Sequence, residues 1–456
     1  MKYKTIKIYV FVIVILCLPL FLPNKLKHAR PNILLITIDA LRADHLGCYG
    51  YGRDTSPNID RLAKEGTVFL NCFSTGPGTA YSFVGLLTGR YLAVGKEYVF
   101  LDNILGREFI TLPEYLKDYG YYTAAFVLNG NLMAGKGFEQ GFDYYRDSWH
   151  RNDANGVTDG VLEFLKNYRG NRPFFIWVHY IDTHSPYTYK EESFKLFGND
   201  SLYRENDRML LPCPDTNMSI YTSAGYIPRV VFHKDKYNLN YYIASYDGEA
   251  LFVDSCLGEL FKNVSGDTMV LLSADHGESF GEHGCYFSHE ESIYDAALHV
   301  PLIIRDSSFF RGGRRIAEAV SCVDIVPTVL AKVDPGWYRF NKERFNGLDL
   351  KAIAKGALKR KYIYSYFPWA YSIRDVEKNV KYMLREDGKE ELYFLPDESV
   401  NRMADFSEEA LCVKSNLKEA LDSWLKDFPV RADTGSKRRN MGDDEKEKLR
   451  SLGYMQ

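Results

Sequence analysis

The sequence predicts an α/β protein with a doubly wound, mostly parallel sheet and a small C-terminal α+β subdomain. Two observations support this fold class. Continuous apolar runs, typical of strands buried in a parallel sheet, alternate with helical segments between residues 32 and 304. After Pro335 the pattern changes to short strands and one helix. We therefore expect a large α/β domain, the candidate catalytic domain, over residues 31–335, a small α+β subdomain over 336–430 and a charged tail over 431–456.

The elements of the larger domain follow from their start and stop signals. Ser56-Pro57 opens one helix, and Thr111-Leu-Pro-Glu114 is a capping box ahead of another. The predicted strands cover residues 32–39, 67–70, 121–128, 173–180, 268–273 and 300–304. The predicted helices cover 56–64, begin near 79 and 111, cover 159–168 and 237–264, and include a short one around 294. Residues 185–236 interrupt the alternation, either as a loop that covers a substrate or as a passive surface excursion.

Composition and charge restrict the class of protein. With 46% apolar and 26% charged residues the chain has an ordinary soluble composition. Residues 1–30 carry six positive and no negative charges, so the formal charge of −3 becomes −9 for the remainder, which argues against a nucleic-acid partner. Eight cysteines occur without a C-x-x-C pair, which excludes a zinc ribbon.

Residues 8–22 are almost wholly apolar and are flanked by basic residues. A helix that crosses a bilayer needs about 20 residues, so this segment is short for an anchor and long for a signal peptide. Because no small-x-small cleavage site follows it, we expect an uncleaved membrane anchor with an extracytoplasmic catalytic domain. Secretion after signal cleavage is the alternative.

The turn Gly76-Pro-Gly78 precedes an apolar helix that begins near Thr79. Glycines let a ligand approach the backbone, and the first turn of a helix has unpaired N–H groups that favour an anion such as phosphate or sulfate. Thr79 would face that anion. The competing interpretation is that Thr79 is only the helix cap.

Further polar residues stand where predicted strands end, which is where ligands bind in sheets of this type. Asp39, Thr79, Asp275 and His276 offer three oxygens and one imidazole, a set that suits one divalent ion, Mn²⁺, Mg²⁺, Ca²⁺ or Zn²⁺. Such an ion would lower the pKa of the Thr79 hydroxyl and make it a nucleophile. Taken singly, Asp39 and His276 more often have structural roles.

Two further histidine clusters follow, at residues 179–184 and at His289. Paired imidazoles can neutralise the non-bridging oxygens of a bound group or protonate its leaving group. We rank His184 and His289 above His179, which on a strand could be buried for packing alone.

Together these segments resemble the sulfatase family of the alkaline phosphatase superfamily over nearly the whole chain. The resemblance rests on the start of the first strand at Arg30-Pro-Asn-Ile, on Leu86-Leu-Thr-Gly-Arg-Tyr91, on Ser273-Ala-Asp-His-Gly-Glu278 and on Val323-Asp-Ile-Val-Pro-Thr328. It implies an alkaline-phosphatase-like fold and an enzyme that cleaves sulfuric or phosphoric esters.

Three departures from that family bear on the chemistry. Sulfatases carry C/S-x-P/A-x-R, whose first residue becomes formylglycine, whereas the matching positions here read Thr79-Ala-Tyr-Ser-Phe83, with no Cys or Ser where the modification would occur. The paired aspartates of the family read Asp39-Ala40, and the family's Gly-Lys-x-His segment reads Val127-Leu-Asn129-Gly-Asn131, so a lysine and a histidine that hold sulfate in the family are missing. We therefore expect no formylglycine and place Asn129 among the substrate-binding residues.

The chain is similar to the threonine-nucleophile branch, which includes phosphoethanolamine transferases and lipoteichoic acid synthases. That resemblance implies that Asp39, Thr79, Asp275 and His276 hold the metal, while His184 and His289 contact the transferred group and leave room for a second ion. Our first hypothesis is a hydrolase or transferase that cleaves a phosphate-type ester, lipid- or glycan-linked, through a covalent Thr79 intermediate. The alternatives are a sulfate ester hydrolase without formylglycine and an inactive cell-surface binding protein.

Overall fold

The computed structural model describes residues 30–91, 105–187, 195–198, 209–212, 225–233, 235–289, 293–306, 308–310, 312–403 and 407–427. Fourteen strands lie within these ranges. They are β1 Ile33–Ile38, β2 Thr67–Phe73, β3 Tyr122–Val127, β4 Tyr144–Arg146, β5 Phe174–Tyr180, β6 Met269–Ala274, β7 Ser279–Phe280, β8 Tyr286–Ser288, β9 His299–Arg305, β10 Arg314–Ser321, β11 Tyr362–Phe367, β12 Ala370–Asp375, β13 Val380–Arg385 and β14 Glu390–Phe394.

Eight strands form the main sheet, in the order β10-β2-β9-β6-β1-β5-β3-β4. β1 lies between β5 and β6 and is parallel to both, and every residue of β1 is buried. β9 is antiparallel to β2 and β6, while the other pairings in this sheet are parallel. The predicted doubly wound, mostly parallel sheet is confirmed.

Helices cover both faces of this sheet. They are α1 Pro57–Glu65, α2 Thr79–Thr88, α3 Leu112–Asp118, α4 Ala154–Asn167, α5 Leu239–Lys262, α6 Asp295–Leu298, α7 Ile325–Val333, α8 Pro335–Asn341, α9 Leu350–Ala354 and α10 Glu408–Asp427. α5 contacts α1 and α4, whereas α2 contacts α3 and α7. All ten residues of α2 are buried, which explains its continuous apolar sequence.

The C-terminal part of the chain contains a second, four-stranded antiparallel sheet in the order β11-β12-β13-β14. α10 packs on it through Leu417 and Leu421, which contact a small core that includes Ile373 and Tyr382. This arrangement confirms the predicted C-terminal α+β architecture. Because β11 is the first strand of this sheet, one of its edges is free to pair with another part of the chain.

The sequence analysis did not predict five of these strands, β4, β7, β8, β10 and β12. β10 begins with two exposed arginines and lies at the edge of the main sheet, so it lacks the continuous apolar run of a central strand. β12 contains serine, arginine and aspartate that are nevertheless buried. The apolar pattern predicts the C-terminal helix near residues 417–425, whereas α10 begins at Glu408. Its first turns are largely exposed and carry charged residues, so they lack an apolar pattern.

Two predicted segments, residues 8–22 and 431–456, lie outside the described residues, and so does much of the 185–236 insertion. The anchor and its secreted alternative therefore stay predictions. Across the helices that the structure describes, none combines the length and the apolar character that spanning a bilayer requires.

Candidate active site

The ends of three adjacent strands bring the first candidate residues together. Thr37 of β1 is level with His179 of β5, and Asp39 and Asp275 directly follow β1 and β6. One ligand atom from each of Asp39, His179 and Asp275 lies within 4.8 Å of the others, and all three side chains are fully buried. His276 Nε2 lies 3.4 Å from Asp39 Oδ1 and 3.5 Å from Asp275 Oδ2.

The most informative feature of this cluster is that four of its polar atoms have no hydrogen-bond partner among the residues that the structure describes. Asp39 Oδ1, His179 Nε2, Asp275 Oδ2 and His276 Nε2 are each buried without one. An unsatisfied buried polar group destabilises a protein by about 1–3 kcal/mol, so four converging on one point is unfavourable unless something binds there. Two carboxylate oxygens and two imidazole nitrogens are a donor set that fits a divalent cation.

Hydrogen bonds on the far side of the His276 ring set its protonation. Nδ1 lies 2.9 Å from the carbonyl oxygen of Gly277, which can only accept, so Nδ1 carries the proton and Nε2 has a free lone pair. Burial, together with the neighbouring His289, lowers the pKa of His276 to about 3. The ring is therefore neutral at physiological pH, as a metal ligand must be.

His179 is held by a similar set of contacts. Its Nδ1 lies 2.9 Å from Thr37 Oγ1, which also accepts a hydrogen bond from Trp177 Nε1 at 3.0 Å. Thr37 Oγ1 is 3.3 Å from the Val178 carbonyl oxygen, to which it can donate. In that arrangement His179 Nδ1 donates to Thr37 and Nε2, 3.5 Å from Asp39 Oδ2, has a free lone pair.

The two aspartates have opposite pKa shifts. Burial acts to raise the pKa of Asp39, but the imidazoles of His184, His179 and His276 outweigh it and hold that pKa below its usual range. Burial and the charge on Asp39 raise the pKa of Asp275 well above its usual range. Two close carboxylates cannot both ionise without a compensating positive charge, which a bound cation would supply.

Thr79 faces this cluster from the start of α2. Gly78 is the N-cap residue and has extended backbone angles, so Thr79 is the first residue of the helix rather than its cap. Its side chain is 3% exposed. Asn129 Nδ2 lies 3.4 Å from Thr79 Oγ1 and donates a hydrogen bond to Asp39 Oδ2, so Asn129 links the hydroxyl to the carboxylate cluster.

A second group of side chains borders the first. The His289 ring stacks on His276 at 4.0 Å between centroids and lies 5.0 Å from the His184 ring. His289 Nδ1 is 3.4 Å from Glu278 Oε1, and the Tyr187 hydroxyl donates to Glu278 Oε2 at 3.2 Å. Burial lowers the pKa of His289 to about 3 and raises the pKa of Glu278 to about 7.

The structure brings the candidate residues into one site, with Asp39, Thr79, Asn129, Asp275 and His276 at its centre and His184 and His289 beside them. The sequence analysis placed His179 below His184 and His289 and did not single out Glu278, whereas the structure places His179 beside Asp39 and Asp275 and Glu278 beside His289. The register between β1 and β5 places His179 beside Asp39, because the two parallel strands end at the same level. Glu278 lies two residues after His276, but nothing in the sequence shows that its carboxylate turns back towards His289.

Comparisons with known proteins point to one family. The Sulfatase family model matches residues 31–334. A sulfatase of unassigned substrate from Escherichia coli, YidJ, is 27% identical over 67% of this chain and 68% of its own length. Human iduronate 2-sulfatase is 27% identical over 60% of this chain and 59% of its own, so the chain spans about three fifths of that relative. The phosphonate monoester hydrolase of Agrobacterium radiobacter has the same fold, with a TM-score of 0.67 at 18% identity over 87% of this chain and 96% of its own.

Proposed function

Since the chain belongs to the sulfatase family of the alkaline phosphatase superfamily, we propose that it is a metal-dependent hydrolase or transferase that cleaves a phosphate-type ester with Thr79 as the nucleophile. One observation carries this proposal. The Thr79 hydroxyl starts a helix beside four buried, unpaired ligand atoms, with Asn129 reaching both the hydroxyl and Asp39. The family membership supports ester hydrolysis, and the threonine chemistry is the part that we propose.

The proposed reaction has two balanced steps. The Thr79 oxygen attacks phosphorus, the bond from phosphorus to the substrate oxygen breaks, and the alcohol leaves with a proton. Water or an acceptor alcohol then attacks phosphorus, the bond to Thr79 breaks, and Thr79 regains its proton. The helix start supplies N–H groups for the anionic group, and Asn129 orients the attacking oxygen. We assign His184 and His289, whose rings lie 5.0 Å apart beside His276, to hydrogen bonds with the transferred group or its leaving oxygen.

The residues that would hold the ion are Asp39, His179, Asp275 and His276, with Thr79 as a further oxygen ligand. When bound, a divalent cation would lower the pKa of the Thr79 hydroxyl and offset the negative charge of the transferred group. The donor set contains both oxygen and nitrogen, which is compatible with Mn²⁺, Mg²⁺, Ca²⁺ or Zn²⁺. A second ion beside His184 and His289 remains part of the hypothesis.

The choice of phosphate over sulfate rests on the second step. A hydrated formylglycine can release sulfate by breaking its own carbon–oxygen bond, whereas a threonine ester has no second hydroxyl on that carbon. Its sulfate would need attack by water at sulfur. A threonine phosphate is resolved more readily by attack at phosphorus when a cation offsets the charge on the equatorial oxygens.

Sulfate ester hydrolysis is the second candidate, and the relatives favour it. Both sequence relatives are sulfatases by name, and the human one is an iduronate 2-sulfatase. This supports a glycan-linked substrate in either case. The lipid-linked alternative rests only on the apolar segment at residues 8–22.

The test compares ester probes on the purified full-length chain. We expect 4-nitrophenyl phosphate or bis(4-nitrophenyl) phosphate to be cleaved faster than 4-nitrophenyl sulfate with Mn²⁺, Ca²⁺ or Zn²⁺ present. Thr79→Ala should abolish turnover, and Thr88→Ala, at the other end of α2, is the matched control because its hydroxyl bonds only within and just beyond that helix. Mass spectrometry of acid-quenched enzyme should find the ester on the peptide that contains Thr79. Faster cleavage of the sulfate would favour the second candidate.

A further inference from the structure

The free edge of the C-terminal sheet lies against the turn that precedes Thr79. Ser365 Oγ, on β11, donates to the carbonyl oxygen of Ser74 at 2.7 Å. The next residue, Tyr366, donates its N–H to the carbonyl oxygen of Thr75 at 2.8 Å. β11 therefore uses its unpaired edge to hydrogen-bond two consecutive carbonyls of the turn.

The approach of the two segments is as close as a backbone permits. A Cβ added to Gly76 would lie 2.6 Å from the carbonyl oxygen of Tyr366, so no other residue fits there without displacing β11 or the turn. From α2, the Tyr81 ring packs edge-on against the Tyr366 and Phe367 rings, at 5.6 and 5.0 Å between centroids. All three aromatic side chains are buried. The contact is thus a packed interface as well as a pair of hydrogen bonds.

Ser74 also connects this turn to the cluster of Asp39, His179, Asp275 and His276, where we propose that a cation binds. The Ser74 hydroxyl contacts the carbonyl oxygen of Asp275 and lies 2.9 Å from the hydroxyl of Ser82, on α2. Ser82 Oγ lies 2.7 Å from the carbonyl oxygen of Gly76. Ser74 therefore joins the nucleophile helix to the loop that carries Asp275, and β11 fixes the carbonyl of Ser74 itself.

We propose that Ser365 and Tyr366 are positioning residues for the reaction: by holding the Ser74 and Thr75 carbonyls, they set the distance between the Thr79 oxygen and the Asp39–Asp275 cluster. This inference rests on the proposed role of Thr79. It makes the C-terminal sheet, which lies beyond the end of the family match at residue 334, part of the apparatus for catalysis. A reacting atom misplaced by about 1 Å can cost on the order of 100-fold in rate, so a small shift of this turn is sufficient to matter.

A pair of facing serines provides the test. Ser365 and Ser372 are directly opposite each other on β11 and β12 and are 2% and 3% exposed. Within the described residues, Ser372 Oγ donates its hydrogen bond to the Ser365 carbonyl oxygen, at 3.5 Å, and makes none to the turn. We expect Ser365→Ala to lower kcat for the best phosphate probe by roughly tenfold with KM unchanged, the size of effect that one lost hydrogen bond and a small misplacement produce. Ser372→Ala, the same chemical change one strand away, should leave kcat within about twofold.

A second pair of variants tests the close approach. Gly76→Ala should lower kcat more than Ser365→Ala does, since the new methyl group displaces the Tyr366 carbonyl. Gly266→Ala is its control, because an added Cβ there meets no atom within 4 Å. Melting temperatures identify any variant that fails to fold.

Amide hydrogen exchange provides a readout that does not depend on turnover. In Ser365→Ala, peptides that cover residues 74–83 should exchange faster than in Ser372→Ala. Equal exchange and equal kcat in the two serine variants would overturn the inference. If Thr79→Ala retains full activity while the exchange difference is present, the proposed role of Thr79 is wrong and the contact between β11 and the turn stands as a structural one.

Discussion

At the scale of single residues, the distinctive feature of the candidate site is that buried ligand atoms lack a hydrogen-bond partner among the described residues. Buried imidazoles usually find partners for both nitrogens, yet His179 and His276 each satisfy Nδ1 and leave Nε2 without a hydrogen bond. Both Nε2 atoms lie within 3.5 Å of an Asp39 oxygen without adequate hydrogen-bond geometry. The rings are oriented from behind, by Thr37 and by the Gly277 carbonyl, so the site is organised before any ligand arrives.

This organisation predicts that divalent cations stabilise the folded protein. We expect Mn²⁺ or Zn²⁺ to raise the melting temperature, because a ligand that binds only the folded state stabilises it by about 2.7 kcal/mol at 100 times its Kd. Asp39→Asn should remove most of that shift. Asp254→Asn is the control, since Asp254 is a buried carboxylate that accepts hydrogen bonds from Asn58 and Ile59 at the start of α1. Differential scanning calorimetry measures the shift, and identical shifts in the two variants would contradict a site at Asp39.

At the scale of elements, local signals were reliable where they describe a single turn. The sequence predicts a capping box at the start of α3, and the structure contains it: the Glu114 carboxylate accepts the N–H of Thr111 at 2.8 Å and its hydroxyl at 2.9 Å. Thr111 Oγ1 also lies 3.1 Å from the Gln140 carbonyl oxygen. The capping box therefore fixes the start of α3, and the Thr111 hydroxyl also contacts the loop that contains Gln140.

We expect Thr111→Ala to lower the free energy of unfolding by about 1 kcal/mol, the usual cost of losing a helix cap. Glu114→Ala should also destabilise the protein, and the double variant should lose less than the sum of the two because the residues bond each other. Urea unfolding measures all three. Additive losses would mean that the two side chains act independently, and kcat should be unchanged throughout because α3 contributes no candidate site residue.

Local signals failed where burial depends on partners distant in sequence. β12 carries Ser372, Arg374 and Asp375 and would be read as a surface segment, yet all three are buried. Arg374 is paired with Asp295 and packs over the Phe73 ring, so two parts of the main domain compensate its charge and cover its stem. Such a strand is detectable only once those partners are placed.

At the scale of the whole molecule, a buried charge cluster joins the C-terminal sheet to Tyr294, at the start of α6. Glu391, on β14, accepts hydrogen bonds from the hydroxyls of Tyr294 and Tyr393 and lies 3.2 Å from Arg385 Nε. Burial acts to raise the pKa of Glu391, but these donors lower it from 4.5 to about 2. The carboxylate is therefore bound more favourably in the folded state than in the unfolded one.

The lowered pKa of Glu391 determines how the stability of the protein changes with pH. A carboxyl whose pKa is lower in the folded state contributes stability above its unfolded pKa of 4.5 and loses that contribution as the pH falls towards 2. We expect the free energy of unfolding to decrease over this interval, and Glu391→Gln to flatten that part of the curve while lowering stability at pH 7. Urea unfolding at a series of pH values measures both, with Glu419→Gln on the exposed side of α10 as the control. A slope below pH 4.5 that is equal in both variants would exclude Glu391 as its source.

The sequence by itself determined the fold class, the central strands and most of the candidate site. Continuous apolar runs are sufficient to identify strands buried on both faces, and the carboxyl ends of such strands meet at one edge, so Asp39, Asp275 and His276 could be expected together. The glycines of the turn and the apolar helix that follows them indicated Thr79 as a candidate site residue.

Only the tertiary structure decided which polar atoms are left without partners among the described residues and which contacts hold the turn before Thr79. Strand register places His179 beside Asp39 and Asp275 in the buried cluster, and the edge of β11 reaches the Ser74 and Thr75 carbonyls from almost 300 residues further along the chain. Sequence patterns record the local periodicity of burial. Contacts between segments far apart in the chain depend on how sheets and loops are assembled in space, and that information appears only when the chain has folded.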